Sequence, residues 1–319
     1  DSATPPVQRQ MTEKQRLPLE LAMQLGHQLL QNEEFEQAEA TLSLWDQDFP
    51  HLPILQTNLN ISLLGQGKNE AAIEGFSQAV ADDPSNVAAW YHLGVAQSRI
   101  RQTAAAIASL KTAIRLRPSY GKARSKLGSI YAILDRLDEA AQQFESAVCI
   151  NVHDAESCRK LSAVYRRQNR WQDAIRCIQD ALLFSQDNLA LRTELTLLLL
   201  DSRNSGNRNP ELALTSANQM FASSQDMDHV ILRTMALLEN KQAVDAIDFV
   251  GARIRDDERK VEAGLLLAIG PVMGGSETAA WQKFRAAKAA IGRDPDRIGR
   301  IVLEYSERQF AGEQPGNQD

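Results

Sequence analysis

The sequence predicts an all-α protein built as a linear array of helical hairpins. Three observations carry this expectation. Alanine returns at 38, 72, 106, 140 and 174, proline at 50, 84 and 118, and leucine at 25, 59, 93, 127, 161 and 195, each time after 34 residues. Self-similarity on that scale marks a repeat architecture. Aromatic residues make up only 6% of the chain and alanine is abundant, which favours closely packed helices over a β-sandwich. No stretch approaches the ~18 uninterrupted apolar residues of a membrane helix. An array grows along one axis, so 319 residues need not mean two globular cores.

The elements follow in order. Residues 1–18 are polar and proline-containing, and are expected to be partly loose. Five units in unbroken register span 19–52, 53–86, 87–120, 121–154 and 155–188. Each divides into two helices of about 14 residues, A then B, joined by a short turn. Small residues at the eighth place (Gly26, Gly94, Gly128, Ser162) and alanine at the twentieth let the helices approach closely. Asn60 breaks the eighth-place series and predicts a looser second hairpin. Leucine at the seventh place and Leu42, Phe76, Leu110, Phe144 or Ile178 at the twenty-fourth fill the seam. Proline at the thirty-second place cannot continue helix B, and Asn86 is placed to cap the helix that follows. Trp45 stands where four other units place alanine, and is read as core.

The register then slips by five residues. A polar loop at 201–210 separates the helices of a divergent sixth unit, 189–227. A degenerate seventh hairpin covers 228–257, with its first helix near Val230 to Glu239, its second near Gln242 to Ile254, and Ala246 as the small contact. Residues 258–310 stay helical in pattern, one helix starting at Ser276 and ending at Gly292 and another running from about Asp296 to Phe310. They are expected to cap the terminal apolar face, with 311–319 a loose tail.

The unit from Val87 to Tyr120 carries Trp90, Leu93, Gly94, Ala106, Leu110, Ala113 and Pro118 at places 4, 7, 8, 20, 24, 27 and 32. That pattern resembles the tetratricopeptide repeat (TPR). The resemblance implies a right-handed α-solenoid of stacked hairpins whose concave wall is lined by the A helices.

Catalytic and metal motifs are absent from the sequence. Histidines at 27, 51, 92, 153 and 229 form no H-E-x-x-H, and there is no G-x-S-x-G. Cys149, Cys158 and Cys177 form neither C-x-x-C nor a disulfide framework, and are read as small buried apolar side chains. Gly65-Gln66-Gly67-Lys68 superficially matches a phosphate loop but reads better as the turn of the second hairpin. Gly274-Gly275-Ser276 reads as a chain reversal with a serine cap. No cofactor is implied, and the chain is expected not to be an enzyme.

Charge is unevenly placed. Residues 13–83 hold twelve acids against three bases, whereas Pro84 to Leu134 contain no Asp or Glu and eight Lys or Arg. In the family, places 2, 5, 6, 9, 12 and 13 commonly face the groove. On that basis the expected partner-binding residues are Tyr91, His92 and Arg99, then Lys122, Ser125, Lys126 and Ser129, then Arg159, Lys160, Arg166 and Arg167. Lys122 and Lys126 match part of a family carboxylate clamp, but Thr57, Ile61 and His92 replace its other members. Basic side chains there suit carboxylates or phosphates, through charge-assisted hydrogen bonds. Alternatively, they pair with acids of a neighbouring unit such as Glu156.

The function expected is a non-catalytic adaptor that binds a protein segment, acidic by its expected chemistry, in a basic concave groove. The alternative is the recognition or oligomerisation arm of a larger enzyme, such as a TPR-containing glycosyl- or sulfotransferase. Head-to-tail self-association through the acidic and basic regions is a further expectation. Nucleic acid is disfavoured by a pI near 5.5 and no aromatic–basic interleaving. The compartment stays open between cytoplasmic and, if a signal peptide was removed, periplasmic or secreted.

Overall fold

The computed structural model describes residues 13–46, 48–49, 52–201, 204, 206, 208–242, 245–246, 248–249, 302–304 and 306–307. Among them there are thirteen α-helices and no strand. The chain divides into two compact units at residues 151 and 152. The capping helices expected in 258–310 lie outside the described residues apart from 302–304 and 306–307. Gly274-Gly275-Ser276, both termini and most of the second helix of the seventh hairpin also lie outside them.

The first unit holds α1 (Glu13–Gln31), α2 (Phe35–Asp46), α3 (Pro53–Gly65), α4 (Asn69–Asp82), α5 (Val87–Arg99), α6 (Thr103–Leu116), α7 (Gly121–Ile133) and α8 (Leu137–Ile150). The second holds α9 (Ala155–Arg167), α10 (Trp171–Phe184), α11 (Leu189–Leu200), α12 (Pro210–Ser223) and α13 (Met227–Glu239). The first helices start at 53, 87, 121, 155 and 189, and the second at 35, 69, 103, 137 and 171, so the 34-residue period of the sequence is also the period of the helices.

Each helix packs on the next within its unit. Odd-numbered helices also touch one another (α1–α3, α3–α5 and α5–α7 in one unit, α9–α11 and α11–α13 in the other). No two even-numbered helices touch among the described residues. Odd helices that converge while even helices diverge put the odd helices on the inside of the curve in each unit.

Hairpin closure rests on the predicted small residues. The alanines at 38, 72, 106, 140 and 174 are fully buried. A Cβ at Gly94 would lie 2.7 Å from Leu110 Cγ and 3.2 Å from the Ala106 carbonyl oxygen, so no side chain fits between α5 and α6. The second hairpin uses a different key. Buried Asn60 lies against Gly75 of α4, where a Cβ would come within 2.1 Å of the Asn60 Oδ1. The small residue has moved to the opposite helix.

The turns share one conformation. Glu33, Gly67, Arg101, Asp135 and Asn169 recur every 34 residues with φ between 59° and 79°, and Lys241 repeats the conformation at φ 61°. Gly67 occupies this left-handed position, as its turn reading required, yet the other hairpins fill it with side-chain-bearing residues. Helix starts are capped by Asn86, Asp154, Asn188, Asn209 and Asp226, whose side chains accept from the amide three residues on at 2.9–3.2 Å.

Three expectations change at the level of packing. Leu25 is 48% exposed whereas Leu93 is 4% exposed, because α1 has no hairpin before it among the described residues. Trp45 is half-buried and stacks on Phe49 at 6.4 Å instead of entering the core. Cys149 is exposed, and only Cys158 of the three free cysteines is buried.

Candidate functional site: the inner wall of the odd helices

The eleven expected binding residues fall on α5, α7 and α9. In the first unit, the structure brings Tyr91, His92 and Lys122 together. The His92 ring stacks on Phe76 at 5.6 Å and meets Tyr91 edge-on at 4.9 Å. Tyr91 in turn meets Tyr120 edge-on at 5.2 Å, and the Arg117 guanidinium lies 5.6 Å from the Tyr120 ring centre. Four rings thus run from α4 across α5 to the start of α7, flanked by cations.

Electrostatics fix which of these groups are charged. Burial, with the nearby Lys122 ammonium, lowers the His92 pKa to about 4, so this histidine adds no positive charge at neutral pH. Burial also raises the pKa of Tyr91. Tyr120 is pushed up to about 12, first by burial and then by Tyr91, with Arg117 opposing. Both phenols are therefore protonated hydrogen-bond donors.

Several expected contacts are already engaged within the protein. Arg99 donates through Nη1 to the Leu64 carbonyl oxygen and so ties α5 to the end of α3. Ser125 is buried, since a short side chain at this place does not clear the neighbouring helices, whereas Tyr91 and Arg159 at the same place reach outward. The Ser129 hydroxyl donates to the Ser125 carbonyl oxygen at 2.9 Å. In the second unit, Glu156 pairs with Arg159 at 2.9 Å and Lys160 at 3.5 Å. These are pairs along α9 itself, three and four residues apart, instead of bridges from another unit. Arg166 is half-buried and Arg167 exposed at the end of the same helix. Lys122 is exposed and Lys126 half-buried.

Arg117 and Tyr120 are not among the expected site residues, and Phe76 is expected only as a seam residue. Tyr120 carried a signal: it stands at the thirty-fourth place, where Asn86, Asp154 and Asn188 cap their helices, and it makes no side-chain cap. Among the described residues, no group of His, Cys, Asp and Glu could hold a metal ion. No helix among them is long and apolar enough to cross a membrane.

Paired helices at a fixed period, with polar residues on the open sides of α5, α7 and α9, define a helical-repeat scaffold. Residues 63–100 match the family described as TPR repeat, and residues 96–155 the family described as Tetratricopeptide repeat. No curated protein matches the chain. Among solved structures, the tetratricopeptide repeat protein from Parabacteroides merdae ATCC 43184 is 14% identical, with 85% of this chain and 99% of that one covered, at a TM-score of 0.50. The APC/C hetero-tetramer Cut9-Hcn1 is 18% identical over 82% of this chain and 48% of that one, at a TM-score of 0.51. A thermophilic TPR protein of Thermus thermophilus is 24% identical over 57% of this chain and 98% of that one, at a TM-score of 0.49. The first two likenesses bear on the fold alone.

Proposed function

We propose that this chain is a non-catalytic adaptor that binds an acidic segment of another protein along the inner wall of its odd helices. One observation carries the reading: from Pro84 to Leu134 there is no acidic residue, and this stretch supplies α5 and α7 of the wall. Basic side chains without acids among them attract a negatively charged segment and speed its encounter. The residues assigned to contact are Tyr91, Lys122 and Lys126 on the wall of the first unit and, as a separate surface, Arg159, Lys160, Arg166 and Arg167 on that of the second. The pairs to Glu156 are exposed and weak, about 0–1 kcal/mol each, so a better acid displaces them.

Polyglutamate tests the reading as a generic acidic chain. Lys126→Glu combined with Arg159→Glu is expected to weaken its binding on the order of tenfold and flatten its salt dependence, with the helical circular dichroism unchanged. Affinity that survives both substitutions would remove the wall from consideration.

The charge asymmetry favours a second reading, association of copies head to tail. Twelve acids in residues 13–83 of one copy would meet the acid-free stretch of another. Sedimentation velocity is expected to show concentration-dependent association that salt dissolves. A single species at every concentration in low salt would exclude it.

A further inference from the structure

We propose that Tyr91 and Tyr120, with Lys122 and Arg117, form an anchor recess for one carboxylate of the acidic partner segment. The inference rests on the wall reading above and names the place on the wall where a single side-chain carboxylate seats.

Four observations converge on it. The first concerns donors. Among the described residues, neither phenol hydroxyl has a hydrogen-bond partner, although both rings are half-buried. Both oxygens stay open to solvent, so each can donate to a ligand oxygen in place of water. The second concerns charge. Lys122 and Arg117 have no acidic partner among the described residues, whereas Arg136 is bound to Glu139, Arg159 to Glu156 and Arg170 to Asp173. The third concerns conformation. Tyr120 stands at a cap position and forgoes the side-chain cap that Asn86, Asp154 and Asn188 make in theirs. Its ring turns instead onto Tyr91.

The fourth is the absence of competition. His92, beside Tyr91 and Lys122, is held neutral, and no Asp or Glu occurs between residues 84 and 134 to occupy the recess from within. The cluster presents two neutral O–H donors and two cations. A carboxylate accepts from both kinds, with charge-assisted bonds from the cations and shorter-range direction from the phenols.

The test uses the full 319-residue chain and a decaglutamate peptide. Tyr91→Phe with Tyr120→Phe removes two hydroxyls and keeps both rings. It is expected to weaken decaglutamate binding about tenfold while thermal melting stays put. With 13C-labelled tyrosine, the peptide is expected to shift the ring signals of Tyr91 and Tyr120 and leave those of Tyr165, on the second unit, in place. Should the double variant melt early, Arg117→Gln, an exposed position, carries the same test with a several-fold loss. If decaglutamate binds the parent chain and both variants equally, the recess is refuted while the wall reading stands. If it does not bind the parent chain, both fall. A peptide with one central phosphoserine that binds more than tenfold tighter than decaglutamate would overturn the carboxylate assignment in favour of phosphate.

Discussion

The inner helices α7 and α9 differ from α11 in how much of their surface stays open. At places 9, 12 and 13, α9 carries Ala163, Arg166 and Arg167, and α7 carries Ser129, Ala132 and Ile133. At the same places the α11 hairpin carries Leu197, Leu200 and Asp201, all buried. Places 5 and 6 show the same contrast: exposed Arg159 and half-buried Lys160 on α9, against half-buried Thr193 and buried Glu194 on α11. From Leu195 to Leu200 every residue of α11 is buried, so this stretch of the helix keeps no open polar face. Helices α5, α7 and α9 keep their residues at places 9, 12 and 13 half-buried or exposed and so leave a side open. The lesson is that one repeat geometry supports both an open inner wall and a closed core, and the residues at a few places decide which.

Stability measurements sharpen the contrast most. Leu200→Ala is expected to cost about 2–5 kcal/mol by chemical denaturation, because Leu200 is buried on all sides. Arg167→Ala, one place further along α9, should stay within about 0.5 kcal/mol. Equal costs at the two positions would erase the distinction between closed and open inner helices.

Acid should act on the first unit through His92. An ordinary histidine takes up its proton near pH 6.5, and folded His92 only near about 4. Between these values the unfolded chain binds more protons. His92 therefore supports the fold fully above pH 6.5, and that support is lost as pH falls towards 4, by on the order of 2 kcal/mol. His92→Gln is expected to reduce the stability difference between pH 7 and pH 4 by that amount. An unchanged difference would mean that the ring is solvated.

The smallest effect belongs to a feature common to both units. Arg101 sits at φ 63° and Asn169 at φ 59° in equivalent turns. Arg101→Gly should stabilise by up to about 1 kcal/mol, and Asn169→Gly by less, since asparagine tolerates the left-handed region. A melting series that ranks them the other way would show that these turns are held by side-chain contacts instead of backbone preference.

The regular part of the fold was legible in the sequence because it depends on residue type at a fixed spacing. Ala106 and Leu110 facing Gly94 required nothing more, and neither did the Asn86 cap or the Gly67 turn. What stayed hidden depends on pairs of residues at variable places. Gly75 has meaning only once Asn60 lies against it. Arg99 reads as a groove cation until the Leu64 carbonyl oxygen appears at its tip. Ser125 and Arg159 share a place, and only side-chain length separates the buried one from the exposed one. The ring series through Tyr120 was visible only as a missing cap, a signal that needs the capping series of the other hairpins for contrast.

The interlock of Asn60 with Gly75 has a consequence for how such a chain can be rearranged. The residues equivalent to Gly75 are Thr41, Ser109, Gln143 and Cys177, each bearing a Cβ. Splicing α3 onto any of those partner helices would drive a carboxamide into an occupied space, whereas transplanting α3 and α4 together would carry the bolt with its socket. For protein engineers who shuffle repeats, the cut must fall between hairpins and never inside this one.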